Sequence, residues 1–113
     1  MDTAELTHIA IDALEDIKGK DIVTMDVRHL TSLFDTMIVA TGDSTRQVKA
    51  LADNVREKLK EAGADILGTE GEAGAEWVLV DAGSLVVHVM HPATRQYYNL
   101  EELWGAARDR RAA

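Results

Sequence analysis

The acidic side chains and the four histidines are the residues of this chain that could do chemistry, and their spacing decides which chemistry they permit. A metal-dependent nucleotidyl transfer site holds two cations with two carboxylates on one strand face, as in an Asp-x-Asp pattern. Asp35 instead enters a predicted strand alone, and Glu70 and Glu72 flank a glycine in a predicted loop. The spacing of the acids therefore predicts no catalytic metal site.

The other reactive groups are equally isolated. His88 and His91 are three residues apart at the end of a predicted strand, so they lie on opposite faces and cannot ligate one metal together. No serine stands in a GxSxG elbow, and the absence of cysteine excludes thiolate nucleophiles, disulfides and iron-sulfur clusters. We expect no catalytic residue, no metal and no cofactor.

The segment from Thr41 to Thr45 joins a predicted strand to a predicted helix, a place where backbone amides can hold a phosphate. It contains one glycine and no P-loop lysine, and the Asp43 carboxylate would repel an anion. Ser44 as the N-cap of its own helix accounts for the pattern. A nucleotide-binding or nucleotidyltransferase-like enzyme that uses this junction with Asp35 remains the alternative to a binding module.

The charge of the chain favours a basic protein as its partner. The 113 residues include 20 acids and 12 Lys or Arg, and the net charge of -8 opposes binding to nucleic acid or anionic membrane through a basic surface. Residues 61–94 contain six acids and no Lys or Arg, and two interpretations are open: chance in an acidic domain, or the negative rim of a binding surface. RNA binding, a third possibility, would depend on the basic tail at residues 108–111.

Length and composition predict one globular domain over residues 1–113, because 46% of the residues are apolar and 28% are charged. The first twenty residues form an acidic amphipathic segment without the basic and apolar regions of a signal peptide, and no apolar run is long enough to span a membrane. Together with the lack of cysteine, these features predict a cytoplasmic protein.

Hydrophobic spacing and capping patterns predict the element order αββαβββα, an α/β (α+β) domain with one mixed sheet of about five strands flanked by helices. The predicted helices cover about 3–18, with an Asp2–Glu5 capping box and Gly19 as the stop; 45–62, with Ser44–Gln47 and Gly63 in the same roles; and a final helix from the Asn99 cap to Ala107. The predicted strands cover 21–27, 35–41, 65–68, 76–80 and 85–90. The basic tail follows a helical pattern and is predicted to be the frayed end of the last helix.

The last two predicted strands form a hairpin with two different faces. A two-residue turn at Ala82 and Gly83 would place Val80 opposite Leu85 and Trp77 opposite His88. One face is aliphatic and is predicted to be core: Val78, Val80, Leu85, Val87 and Val89. The other face is mixed: Trp77, Leu79, Asp81, Val86, His88 and Met90. It is either a protein-binding patch or a second packed layer in which a helix covers Trp77 and His88 is a hydrogen-bonded interior residue.

Four motifs in order give the chain a resemblance to a known family. They are residues 40–55 (ATGDSTRQVKALADNV), 68–71 (GTEG), 77–90 (WVLVDAGSLVVHVM) and 95–104 (RQYYNLEELW). With these motifs the chain resembles the ribosomal silencing factors of the RsfS family, also called Iojap-like. The resemblance extends from the first helix to Trp104.

The resemblance implies a fold similar to that of nucleotidyltransferases but without their catalytic acids. It implies a non-enzymatic factor that binds the large ribosomal subunit through the ribosomal protein L fourteen, blocks joining of the small subunit and represses translation when nutrients are short. It also implies that the chain can form a homodimer.

The residues expected to bind the partner come from two motifs and from the charge pattern. The resemblance implies partner-binding residues at Trp77, Leu79, Asp81, His88 and Met90 in the hairpin motif and at Tyr98 in the last motif. Glu70 joins them as a residue of the predicted negative rim.

Overall fold

The computed structural model describes residues 1–104 and 108–111 of the chain. Helix α1, Thr3–Asp16, begins at the predicted cap, where the Asp2 side chain accepts a hydrogen bond from the Glu5 amide at 2.8 Å. The left-handed residue after the helix is Lys18, with φ 61°, and not the predicted Gly19. Gly19 ends the helix in another way, because its amide donates to the Leu14 carbonyl at 2.8 Å and a Cβ there would lie 3.1 Å from that oxygen.

The other elements follow in chain order as β1 (Lys20–Asp26), β2 (Thr36–Thr41), α2 (Thr45–Glu61), β3 (Gly68–Glu70), β4 (Trp77–Asp81), β5 (Leu85–Met90), α3 (Pro92–Tyr98), α4 (Leu100–Trp104) and β6 (Arg108–Arg111). The strands form one mixed sheet in the order β3-β4-β5-β2-β1-β6. Strands β2 and β5 pair in parallel and the other neighbours are antiparallel. The mixed sheet with flanking helices confirms the predicted fold class.

Helices α1 and α2 cover one face of the sheet. The aliphatic side chains of β4 and β5 that were predicted to be core lie beneath them and are fully buried. Helix α2 begins at the predicted cap, where Ser44 Oγ accepts from the Gln47 amide at 3.1 Å, and the predicted stop Gly63, with φ 99°, lies two residues after its last residue Glu61. This layer between the two helices and the sheet, the first core, therefore forms where the helix patterns predict it.

The hairpin of β4 and β5 has a register two residues away from the predicted one. Leu79 lies opposite His88 and Trp77 lies opposite Met90, because the turn residues are Gly83 and Ser84. Two contacts favour this turn: the Ala82 amide donates to the Leu85 carbonyl at 2.9 Å, and Asp81 Oδ1 accepts from the Gly83 amide at 2.9 Å. Side chains alternate with a period of two, so a two-residue shift leaves both predicted faces unchanged.

Strand β3 begins three residues later than predicted. Ala64 and Ile66 pack against the first core while the chain crosses from α2 to the sheet edge. Backbone pairing with β4 starts only at Leu67, whose amide donates to the Asp81 carbonyl at 2.8 Å.

The C-terminal part departs most from the prediction. Helix α3 was not predicted; Pro92 occupies its first turn, and Asn99, with φ 43°, ends it and does not cap a single last helix. Helix α4 ends at Trp104, and the predicted apolar position Ala107 lies outside the described residues. The helical tail is wrong for residues 108–111, which pair with the open backbone edge of β1 as strand β6. No helix among the described residues combines the length and apolar character needed to cross a membrane.

Candidate protein-binding face

The second face of the sheet carries its own apolar cluster, only partly covered by α3 and α4. Its buried members are Val23, Met25, Val27, Met37, Val39, Met90 and Leu100. The rings of Phe34, Trp77 and Trp104 pack on them and stay partly exposed. A second packed layer therefore exists over part of this face, and an open apolar surface remains beside it.

An open groove of about 530 Å³ lies on this surface. Leu79, Val86 and His88 of the hairpin form its floor. Its sides are formed by Leu33 and Phe34 from the loop between β1 and β2, by Leu67, and by Trp104 of α4. Leu33 is 81% exposed and Leu67 is 69% exposed, so the groove has apolar rims that face solvent. Such a contiguous apolar patch is typical of a protein-binding surface.

His88 and Trp77 form a hydrogen-bonded pair at this face. The Trp77 indole N–H donates to His88 Nδ1 at 2.9 Å, and the two ring centroids are 5.8 Å apart. Burial lowers the pKa of His88 from 6.5 to about 4. At neutral pH the imidazole is therefore uncharged, which suits the apolar floor.

An aromatic row continues from Trp77 to the surface. The Trp77 and Tyr98 rings are 4.9 Å apart, and the Tyr98 and Tyr97 rings are 5.0 Å apart in an edge-to-face arrangement. Tyr98 is 51% exposed and Tyr97 is 81% exposed. Exposed Tyr and Trp side chains in one row are the residue types that contribute most energy to protein interfaces.

Two carboxylates flank Leu79. Asp81 lines the groove, and its carboxylate accepts the hydrogen bond from the Gly83 amide that shapes the turn. Glu70 pairs with Leu79 across β3 and β4, so it stands on the groove side of the sheet, where it is exposed. Within the described part of the chain, no Lys or Arg forms an ion pair with either acid. The groove therefore has an apolar centre and a negative edge.

The structure brings Trp77, Leu79, Asp81 and His88 together and places Tyr98 and Glu70 beside them. Met90 requires a correction: it is fully buried, because Leu100 of α4 packs with it in the apolar cluster of this face. It supports the face from below and offers no contact atom to a partner.

The groove walls formed by Leu33, Phe34, Leu67 and Trp104 were missing from the sequence-based site. The signal for Leu33 and Phe34 was a pair of large apolar residues inside a short polar loop. Trp104 was predicted on the apolar side of a helix, and its place at the groove depends on the turn at Asn99.

The residues of the alternative nucleotide site have structural partners. Asp43 pairs with Lys20 at 2.6 Å, and Asp35 accepts from Thr3 Oγ1 at 3.1 Å. A Cβ at Gly42 would lie 2.9 Å from the Val48 amide, so that glycine serves close packing against α2. Among the residues described, no group of three or more His, Asp or Glu could hold a metal ion.

Comparisons with known proteins agree with one another. The protein family described as "Ribosomal silencing factor during starvation" matches residues 1–113. A "Ribosomal silencing factor RsfS" from Chromobacterium violaceum is 66% identical over 105 residues, which cover 93% of this chain and 86% of that protein. A crystal structure of a protein from the same bacterium superposes with a TM-score of 0.92 at 64% identity, covering 95% of this chain and 89% of that one. The mouse "Mitochondrial assembly of ribosomal large subunit protein 1" is 31% identical over 83% of this chain and 42% of its own length.

Proposed function

This chain belongs to the RsfS family of ribosomal silencing factors, and from that premise we propose that its groove docks on the large ribosomal subunit through the ribosomal protein L fourteen. The family is one of silencing factors and not of enzymes. The observation that carries the proposal is the solvent-facing apolar groove, which has Leu79 and His88 in its floor and the carboxylates of Glu70 and Asp81 at its edge. The contact residues we assign are Trp77, Leu79, Asp81, His88, Tyr98 and Glu70.

The chemistry of the groove supports a partner that combines apolar side chains with surrounding Lys or Arg. Glu72 is already neutralised by Arg56 at 3.0 Å, whereas Glu70 and Asp81 have no such partner among the residues described. Ribosomal proteins are basic because they contact RNA, so an acidic edge complements them. The name of the mouse relative, which refers to assembly of the large subunit, points to the same subunit.

Silencing by this domain needs a surface and no reaction step. The chain measures 32 × 31 × 25 Å, and one partner in a standard interface buries roughly 800 Å². That contact would occupy about an eighth of the 6112 Å² of accessible surface and leave most of the domain protruding. In our proposal the protruding bulk blocks joining of the small subunit and so represses translation in the cytoplasm when nutrients are short.

Two exposed leucines in the same loop provide a matched test. Leu33 is 81% exposed at the groove, and Leu30 is 48% exposed outside the set that lines it. We expect Leu33→Ser to reduce cosedimentation with purified large subunits and to restore joining of small subunits, measured by light scattering. Leu30→Ser should match the unsubstituted protein in both assays. Equal binding by both variants contradicts docking at this groove.

We also propose that the free protein self-associates, with the same apolar groove as the surface that a second copy covers. Sedimentation equilibrium of the protein and of Leu33→Ser tests this, because the variant should shift the population towards monomer. A monomer at all concentrations contradicts self-association and leaves the docking proposal standing.

A further inference from the structure

Helices α3 and α4 are too short to hold their positions alone. They contain seven and five residues, and isolated helices shorter than about 12–15 residues are marginal in water. They nevertheless carry Tyr98 and Trp104, which stand at two sides of the proposed docking face. Contacts with the rest of the domain must therefore fix these two rings.

One buried guanidinium supplies most of the polar contacts of this segment. Arg95 of α3 is only 9% exposed, and its Nε and Nη2 donate to the two carboxylate oxygens of Glu101 in α4 at 3.3 and 3.1 Å. Its Nη1 donates to Thr41 Oγ1 at 2.8 Å and to the Asp21 carbonyl. Arg95 thus connects both short helices to the ends of β1 and β2.

The Asp21 contact depends on an irregularity in β1. The register of the pairing between β1 and β2 shifts between Lys20 and Val23. Within this shift, Asp21 has φ 47°, a left-handed conformation that residues other than glycine rarely adopt. A bulge of this kind takes a residue out of the regular ladder, and the Asp21 carbonyl bonds to Arg95 instead. The bulge and the guanidinium are therefore parts of one arrangement.

We infer that Arg95 is a positioning residue for docking: it acts through Tyr98 and Trp104 by holding α3 and α4 against the sheet. The inference rests on the proposed function, since it concerns how the docking face is kept in shape. A bidentate Arg–carboxylate pair suits this role because it fixes orientation as well as distance. Lysine has the same charge but carries its donors on one nitrogen, so it lacks the planar fork that bonds both Glu101 oxygens while a separate nitrogen reaches Thr41 and Asp21.

The test compares Arg95→Met and Arg95→Lys with Arg28→Met. Arg28 also holds a carboxylate with two nitrogens, on Asp26 at 2.6 and 3.0 Å, but this pair is exposed and outside the residues that line the groove. We expect Arg95→Met to keep the first core folded, to raise hydrogen exchange within residues 92–104, and to speed dissociation from large subunits on the order of tenfold. Arg95→Lys should dissociate at a rate between those of Arg95→Met and the unsubstituted protein. Arg28→Met should behave like the unsubstituted protein.

A second background separates positioning from simple destabilisation. If Arg95 acts through the groove wall, Arg95→Met should speed dissociation less in a Trp104→Ala protein than in the unsubstituted one. The inference is overturned if Arg95→Met speeds dissociation by the same factor in the Trp104→Ala protein and in the unsubstituted protein. It is also overturned if Arg95→Met leaves the dissociation rate unchanged. If Arg95→Met fails to fold, Arg95→Lys carries the same comparison. Failure of the unsubstituted protein to bind large subunits would instead contradict the proposed function.

Discussion

At the scale of single residues, the hydrogen bond between Trp77 and His88 fixes the protonation of the imidazole as well as its position. An indole N–H can only donate, so Nδ1 of His88 is the acceptor and the neutral ring carries its proton on Nε2. Among the residues described, nothing accepts a hydrogen bond from Nε2. The floor of the groove therefore offers one neutral donor within an apolar surface.

This burial predicts a pH dependence of stability. The pKa of His88 is about 4 in the folded chain and about 6.5 when unfolded, so between these values the unfolded state binds more protons and stability falls as pH falls. Between pH 7 and pH 5 the free energy of unfolding should drop by about 2 kcal/mol through this group. Urea unfolding of the protein and of His88→Gln at both pH values measures the difference. An equally steep decrease in the variant would show that other groups cause it.

At the scale of elements, the prediction succeeded where one physical signal dominates. The two faces of the β4–β5 hairpin follow from side-chain alternation alone, so they were predicted despite the wrong register. The register depends on hydrogen bonds at Asp81 and Ala82. The sequence alone does not show these bonds, so it does not decide whether Ala82–Gly83 or Gly83–Ser84 forms the turn. Met90 was misjudged because alternation gives the face of a residue but not what covers it.

The C-terminal helices show the limit of local patterns. Residues 92–98 are too short for a clear helical period, and their position depends on the Arg95 contacts with β1 and β2, distant in sequence. The groove walls were missed for the same reason, because Leu33, Leu67 and Trp104 come from three separate segments. A single sequence shows each apolar residue, but it does not show that these residues come into contact in the fold.

Two glycines with the same backbone angle should respond differently to alanine. Gly83 has φ 86° and a Cβ there would lie 3.8 Å from Leu67 Cδ1, so Gly83→Ala should cost about 1 kcal/mol through backbone strain alone. Gly71 has φ 87°, but its Cβ would lie 2.0 Å from the Trp77 carbonyl oxygen, so Gly71→Ala must displace the loop from β4. We expect a loss above about 2 kcal/mol for Gly71→Ala in denaturant unfolding. Similar losses of stability in the two variants would show that the loop at Gly71 moves away from β4 at little cost in free energy.

At the scale of the whole molecule, the uneven distribution of the net charge of -8 matters for association. We expect Glu70→Lys with Asp81→Lys to slow association with large subunits by about tenfold at low salt, with a smaller effect on dissociation. Glu15→Lys with Glu57→Lys changes the net charge equally on α1 and α2, which cover the other face of the sheet. Stopped-flow measurements at several salt concentrations compare the pairs. Equal slowing would assign the effect to net charge and not to the groove edge.

A steric mechanism also predicts which substitutions have no effect. Asp35→Asn and Asp43→Asn should leave inhibition of subunit joining intact, since each carboxylate has only a structural partner. Nucleotide with magnesium should not raise the thermal midpoint, whereas ligand at a hundredfold its dissociation constant would add about 2.7 kcal/mol of stability. A folded Asp35→Asn protein that binds large subunits but permits joining would require a chemical step.

The parallel pairing of β2 with β5 also sets the order in which the chain can fold. Thr36 pairs with Leu85 and Thr41 pairs with Met90, so the centre of the sheet closes a loop that contains α2, β3 and β4. Closing such a loop costs chain entropy before its contacts form, and folds dominated by distant pairs fold slowly. The groove is lined by residues that precede β2 in the chain, such as Leu33, and by residues that follow β5, such as Trp104. During its own synthesis, the nascent protein therefore cannot form the proposed docking face until the C-terminal helices have left the ribosome that makes it.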